Sequence, residues 1–151
     1  MLTTPSRVTA DIRRLCRRIG NVEPPEFVRV ASRSDSEMND CFMDVRNQVE
    51  DFGGKVQHGW TIWTWTGIFA EGEFHAVWRS PQGELIDVSH KKNGEPAIMF
   101  AADHKRIFRE RRVPNIRFAI SGDPRVKQLF DLHDRYQKLV GVLMKDLPFG
   151  S

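Results

Sequence analysis

Apolar residues recur along the chain with two different periods, and the switch between them divides it into elements. Ile12, Leu15, Cys16 and Ile19 lie on one helical stripe, opened by Thr9 as a cap and stopped by Gly20. Phe27-Val28-Arg29-Val30 reads as an edge strand after the linker 21–25. Phe42, Val45, Val49 and Phe52 again follow a helical period, with Asn39 and Asp40 as N-caps and Gly53-Gly54 as the stop, which predicts a helix of about three turns.

From Val56 to Thr66 the pattern changes to dense β-formers, with Trp60, Ile62, Trp63 and Trp65. We read this as the first core strand, with at least two of its three tryptophans in the core and 67–72 as a hairpin loop behind it. Two strands follow, Glu73–Trp78 and Leu85–Val88, and Ala97–Ala101 forms another. Asp123-Pro124 is a cap followed by proline at the first helical position. It starts a long helix to about Met144 whose predicted buried side is Val126, Leu129, Phe130, Tyr136, Leu139, Val140 and Leu143. The expected architecture is α+β, one domain over residues 1–151, with the Cys41 helix packed on an antiparallel sheet of four or five strands and the final helix covering the same core.

The turn between the two middle strands allows their register to be derived. Ser80-Pro81-Gln82-Gly83 has proline where a type I turn needs a preset φ and glycine where a left-handed residue follows. Ser80 then faces Glu84, Val77 faces Asp87, and His75 becomes a same-face diagonal neighbour of Asp87, with backbones roughly 7–8 Å apart. A two-residue turn would shift the register by one and separate them. Phe74, Ala76, Trp78, Ile86 and Val88 occupy the other face.

Cys41 lies in the first turn of its helix, where unpaired N–H groups and the positive helix end stabilise a thiolate and can bind an oxyanion. A thiol, an imidazole and a carboxylate in these settings have the chemistry of a nucleophile, its base and the base's orienter. A cysteine is more often a small buried hydrophobe, and Cys16, on an apolar stripe, is read that way.

Asp40-Cys41 opening an amphipathic helix, His75 on a strand and Asp87 on the next resemble the catalytic core of the NlpC-type cell-wall cysteine peptidases, within the wider papain-like superfamily. The resemblance covers residues 39–90, and Phe42-Met43 stand where Ser-Gly usually follows the cysteine. It implies a papain-like core, with Cys41 as nucleophile, His75 as base and Asp87 as orienter. The expected activity is a cysteine-dependent hydrolase or acyl transfer on a peptide, amide or related acyl substrate. Trp60 and Glu73 are candidates for substrate contact, and Asn39 and Gln57 for the side-chain oxyanion donor.

Composition narrows the surroundings. With 40% hydrophobic and 28% charged residues the chain is an ordinary soluble type, and its two cysteines suggest a reducing, cytoplasmic setting. The N-terminus has no apolar leader and no stretch has the length of a membrane span. No phosphate-binding glycine loop or dinucleotide fingerprint occurs, so no cofactor is implied, and His90, His104 and His133 lack metal-site spacing. The net charge of +3 is clumped at Arg13, Arg14, Arg17 and Arg18 and again at Arg109, Arg111 and Arg112. These are most simply solvated faces; the rival reading is a non-catalytic module that grips an acidic protein or nucleic acid there.

Overall fold

The computed structural model describes residues 1–36, 40–106 and 113–146. Among these the elements in chain order are α1 (Ala10–Ile19), β1 (Glu26–Val30), α2 (Cys41–Phe52), β2 (Lys55–Trp65), β3 (Phe69–Arg79), β4 (Leu85–Asp87), β5 (Ala97–Ala102), β6 (Ile116–Ala119) and α3 (Pro124–Asp146). The protein is therefore α+β, with a C-terminal helix. Among the described residues no helix is long and apolar enough to cross a membrane.

The sheet is mixed and closed, which differs from the antiparallel sheet expected. β2 and β3 pair along their whole length as a two-stranded ribbon. The order β2-β5-β1-β4-β3, joined by the β2–β3 pairing, completes a barrel, and β6 lies on β3 at its beginning. β1 pairs antiparallel with β5 and parallel with β4, so it is an interior strand and not the edge its composition suggested. Closure removes edges that would otherwise carry unpaired backbone groups.

The barrel fixes which faces are buried. Val28, Val77, Ile98, Phe100 and Ala102 form one cluster drawn from strands that do not all share an edge, so they fill the interior. On the outer face α1 lays Ile12 and Leu15 against Trp60, Ile62, Ala70, Phe74 and Met99. α2 lays Val45 against Ala76, Ile86 and Val88. The cap predicted for α1 is present, with Thr9 accepting from the Ile12 N–H at 3.2 Å.

Three local expectations change. Residues 67–72 are not a loop: β3 starts at Phe69, and Gly72 lies inside it because the Ile19 side chain of α1 packs where a Cβ would be, 2.8 Å away. Of the three tryptophans on β2 only Trp60 is fully buried, while Trp65 is 41% exposed and Trp63 half-buried. The final helix has the predicted span, but it does not cover the core along its length. Val126 is its one fully buried apolar residue among those described, and Phe130 meets Phe69 edge-on at 5.2 Å. Tyr136, Leu139 and Leu143 are exposed, although Asp134 in the third turn still pairs with Arg117 of β6 at 3.2 Å.

Candidate active site

The β3–β4 hairpin has the register derived from its turn. The Ser80 N–H donates to the Glu84 carbonyl at 2.8 Å, the Gly83 N–H donates to the Ser80 carbonyl, and Trp78 pairs with Ile86. His75 and Asp87 accordingly share a face, the one that carries Val77 into the barrel. Both are buried, and His75 Nε2 lies 3.0 Å from Asp87 Oδ2. The dyad's face is therefore as enclosed as the apolar face under α2.

Asp87 has further partners. Its Oδ1 accepts from the Ser89 N–H at 3.0 Å, and its Oδ2 also receives Lys91 Nζ at 2.6 Å. Burial alone would push the carboxyl's pKa up, but His75 and Lys91 reverse this and hold it well below the usual carboxylate range.

His75 shows the opposite balance of the same forces. Burial disfavours the imidazolium, while the charge and hydrogen bond of Asp87, followed by a hydrogen bond and the charge of Cys41, favour it and raise its pKa to about 10. The protonated ring is therefore favoured relative to a free imidazole. Nε2 is taken by Asp87.

Cys41 is brought there by the segment that leaves β1. The Ala31 and Arg33 N–H groups donate to the Asp87 and Val88 carbonyls, and Ser32 Oγ donates to the Ser89 carbonyl at 2.6 Å. The chain is thus stitched along β4 past Asp87 before α2 begins. Arg33 then ties this segment to the helix, donating to Gln48 Oε1 at 2.9 Å and pairing with Asp51 at 2.8 Å. Asp40 is the N-cap residue, yet its side chain makes no capping bond, so it does not occupy the first-turn N–H groups at Cys41. Cys41 is partly accessible; Cys16 packs against the α1 core, and burial raises its thiol pKa.

The remaining candidates divide. Trp60 is 1% exposed and donates from Nε1 to Asp103 at 3.1 Å, so it is a core residue and not a substrate platform. Gln57 is buried and committed: its Nε2 donates to the His58 carbonyl and its Oε1 accepts from Arg79, which removes it as an oxyanion donor. Glu73 is exposed on β3, opposite Thr61, two residues before His75 and on the same face. Asn39, and Arg109, Arg111 and Arg112 of the second basic cluster, lie outside the described residues. Arg13, Arg14, Arg17 and Arg18 are exposed on α1, with Arg18 donating to the Arg117 carbonyl.

Two residues near the dyad escaped the sequence reading. Asp44 is 4% exposed in the first turn of α2, and its Oδ2 has no hydrogen-bond partner among the described residues. Burial, then Asp40, Asp35 and, more weakly, Asp87 push its pKa up to about 6, against a lowering by Arg33. Its spacing of three from Cys41 on a helix was the available signal. Lys91 gave none, because it sits in an irregular segment beyond β4. Among the described residues no group of three or more His, Cys, Asp or Glu side chains is arranged to hold a metal ion.

No family model matches the chain, and no curated protein and no solved structure matches it.

Proposed function

We propose that the protein is a cysteine-dependent hydrolase or acyl-transfer enzyme of amidase, peptidase or deamidase type, with Cys41 as nucleophile, His75 as acid and base, and Asp87 as orienter. The observation that carries this reading is the buried imidazole held by Asp87 on one nitrogen and engaged by Cys41. The order of parts also supports a papain-like core: a cysteine opening a helix, a histidine on the second strand after it and an acid on the third. The two free thiols fit a reducing compartment such as the cytoplasm.

In the reaction His75 carries the proton given up by Cys41, and the sulfur attacks the acyl carbon. The backbone N–H of Cys41, at a helix end free of its side-chain cap, stabilises the oxyanion. The oxyanion then collapses back to a carbonyl, the bond from the acyl carbon to the leaving group breaks, and the imidazolium gives its proton to the departing group, which leaves a thioester on Cys41. Water or another nucleophile, deprotonated by His75, releases the acyl group and regenerates the thiol.

Alkylation by iodoacetamide tests the assignment without a substrate. Cys41 should react much faster than Cys16, and His75→Ala should slow Cys41 at neutral pH while the protein stays folded. Equal labelling of both cysteines, or a Cys41 rate indifferent to His75, would overturn the enzyme reading. A strongly salt-dependent affinity for nucleic acid that survives Cys41→Ala would then favour the basic face of α1 as the functional surface.

A further inference from the structure

Asp87 Oδ2 is shared. It takes His75 Nε2 at 3.0 Å and Lys91 Nζ at 2.6 Å, and the Lys91 side chain is only 11% exposed. A lysine ammonium is costly to bury and is kept in such a place by an opposite charge. The Lys91 carbonyl accepts from the Gly94 N–H at 3.1 Å, which folds the segment after β4 back on itself and anchors the start of the side chain.

We propose that Lys91 is a positioning residue for the dyad: its ammonium holds the Asp87 carboxylate in line with His75 and withdraws part of that carboxylate's charge from the imidazole. The proposal rests on the assignment of Cys41, His75 and Asp87 made above. Its chemical sense lies in the second half of the reaction. An orienting carboxylate that belongs wholly to the imidazolium makes it a poor acid, because the proton is then held too tightly to be passed to the leaving group. A cation on the same oxygen moderates that hold without removing the orienting bond.

The charges around the carboxylate make the sign unambiguous. From β3 it is faced by His75; from α2 come Cys41, acting on His75, and Asp44, which feels the Asp87 charge. From its own segment come Lys91 and the uncharged Ser89 N–H, and from the chain after β1 the uncharged Ala31 N–H, which bonds the Asp87 carbonyl. Lys91 is thus the cation that meets the Asp87 carboxylate beside His75, while Arg33, on the chain after β1, is the cation that acts on Asp44.

The experiment is a titration of the His75 ring by carbon-detected NMR in the intact protein, comparing wild type with Lys91→Met and Lys91→Arg. Lys91→Met should make His75 bind its proton about tenfold more tightly, the scale expected when a neighbouring charge is lost, and Lys91→Arg should return it close to wild type. The alkylation rate of Cys41 should keep its dependence on His75 in both variants. If Lys91→Met does not fold, Lys91→Gln carries the same comparison. An unchanged His75 midpoint in a folded variant overturns the proposal, even where thermal stability has fallen, because a purely structural lysine would alter melting alone. A Cys41 rate independent of His75 in wild type would instead remove the enzyme reading, while the titration would still report whether Lys91 acts on the ring.

Discussion

Gly59 on β2 is the direct strand partner of His75 on β3, and a Cβ at Gly59 would overlap both the Phe100 ring and the Ala101 carbonyl. The glycine thus lets an interior aromatic ring and a neighbouring strand close in beside the candidate base. Gly59→Ala is expected to destabilise the fold by about 2 kcal/mol through overpacking. Urea unfolding should show a lower midpoint with an unchanged slope, since the exposed surface stays the same. A variant as stable as wild type would mean that the ring and strand can shift freely.

The His75–Asp87 pair makes stability depend on pH in a direction that can be worked out. His75 has a folded pKa of about 10, above its unfolded value of roughly 6.5. Its contribution is therefore complete below that unfolded value and disappears as pH rises through the folded one. Asp87→Asn removes the carboxylate responsible and leaves the largely covered Lys91 without this partner, which should cost about 3 kcal/mol at pH 6. The gap between wild type and variant should narrow steadily from pH 7 to 10, read from urea unfolding at each pH. A gap independent of pH would contradict the coupling.

Asp44 should act in the same direction, in a lower pH window. Its folded pKa of about 6 lies above the ordinary carboxyl value, so the folded state binds the proton more tightly and stability falls as pH rises across that window. Asp44→Asn has no charge to develop there. The melting temperature of the variant relative to wild type should therefore increase between pH 4 and about 6.5 and then level off; a constant difference would show that Asp44 is not desolvated in the fold.

Along α3 the cost of truncating apolar side chains should fall from the Phe130 turn to the exposed Leu139. Phe130 packs edge-on against Phe69 and beneath the Arg117 guanidinium, whose carbon lies 5.9 Å from the ring centre. Phe130→Ala should cost about 2 kcal/mol or more. Leu139, 59% exposed, should cost less than about 0.5 kcal/mol when changed to alanine. Comparable losses at both positions would mean that the outer helix is covered in solution.

Local chemistry made the hairpin legible. Pro81 and Gly83 dictate the turn, the turn dictates the register, and the register brings His75 and Asp87 to one face. Thr9 and Gly20 bounded α1 for equally local reasons. What stayed hidden depends on distant partners. Nothing in Phe27-Val28-Arg29-Val30 says that it will run between β4 and β5, since any such strand fits either an edge or a centre. The stripe on α3 has the right period for burial, but periodicity identifies an apolar face without saying what meets it. Gly72 looked like a loop residue because the reason for a side-chain-free position, Ile19 on α1, is remote in sequence. Lys91 was invisible for the same cause: its partner is known only once the chain after β4 has turned.

The parallel pairing of β1 with β4 sets a timetable for synthesis. Arg29 must wait for Ile86, and Val28 for Ile98. At roughly 5–20 residues per second, β1 emerges several seconds before any strand that can hold it. The β2–β3 ribbon, joined by a short turn, can form during that interval, but the ring cannot close until β5 has been made. Loop-closure entropy opposes such long-range pairing until many contacts form together. Asp87 meets His75 within the hairpin, whereas Cys41 is steered to them by the chain running on from β1 beside β4. Val45 of α2 packs on Ala76, Ile86 and Val88 of that same hairpin, so the candidate nucleophile can reach the dyad once β4 has been made, before β5 closes the barrel.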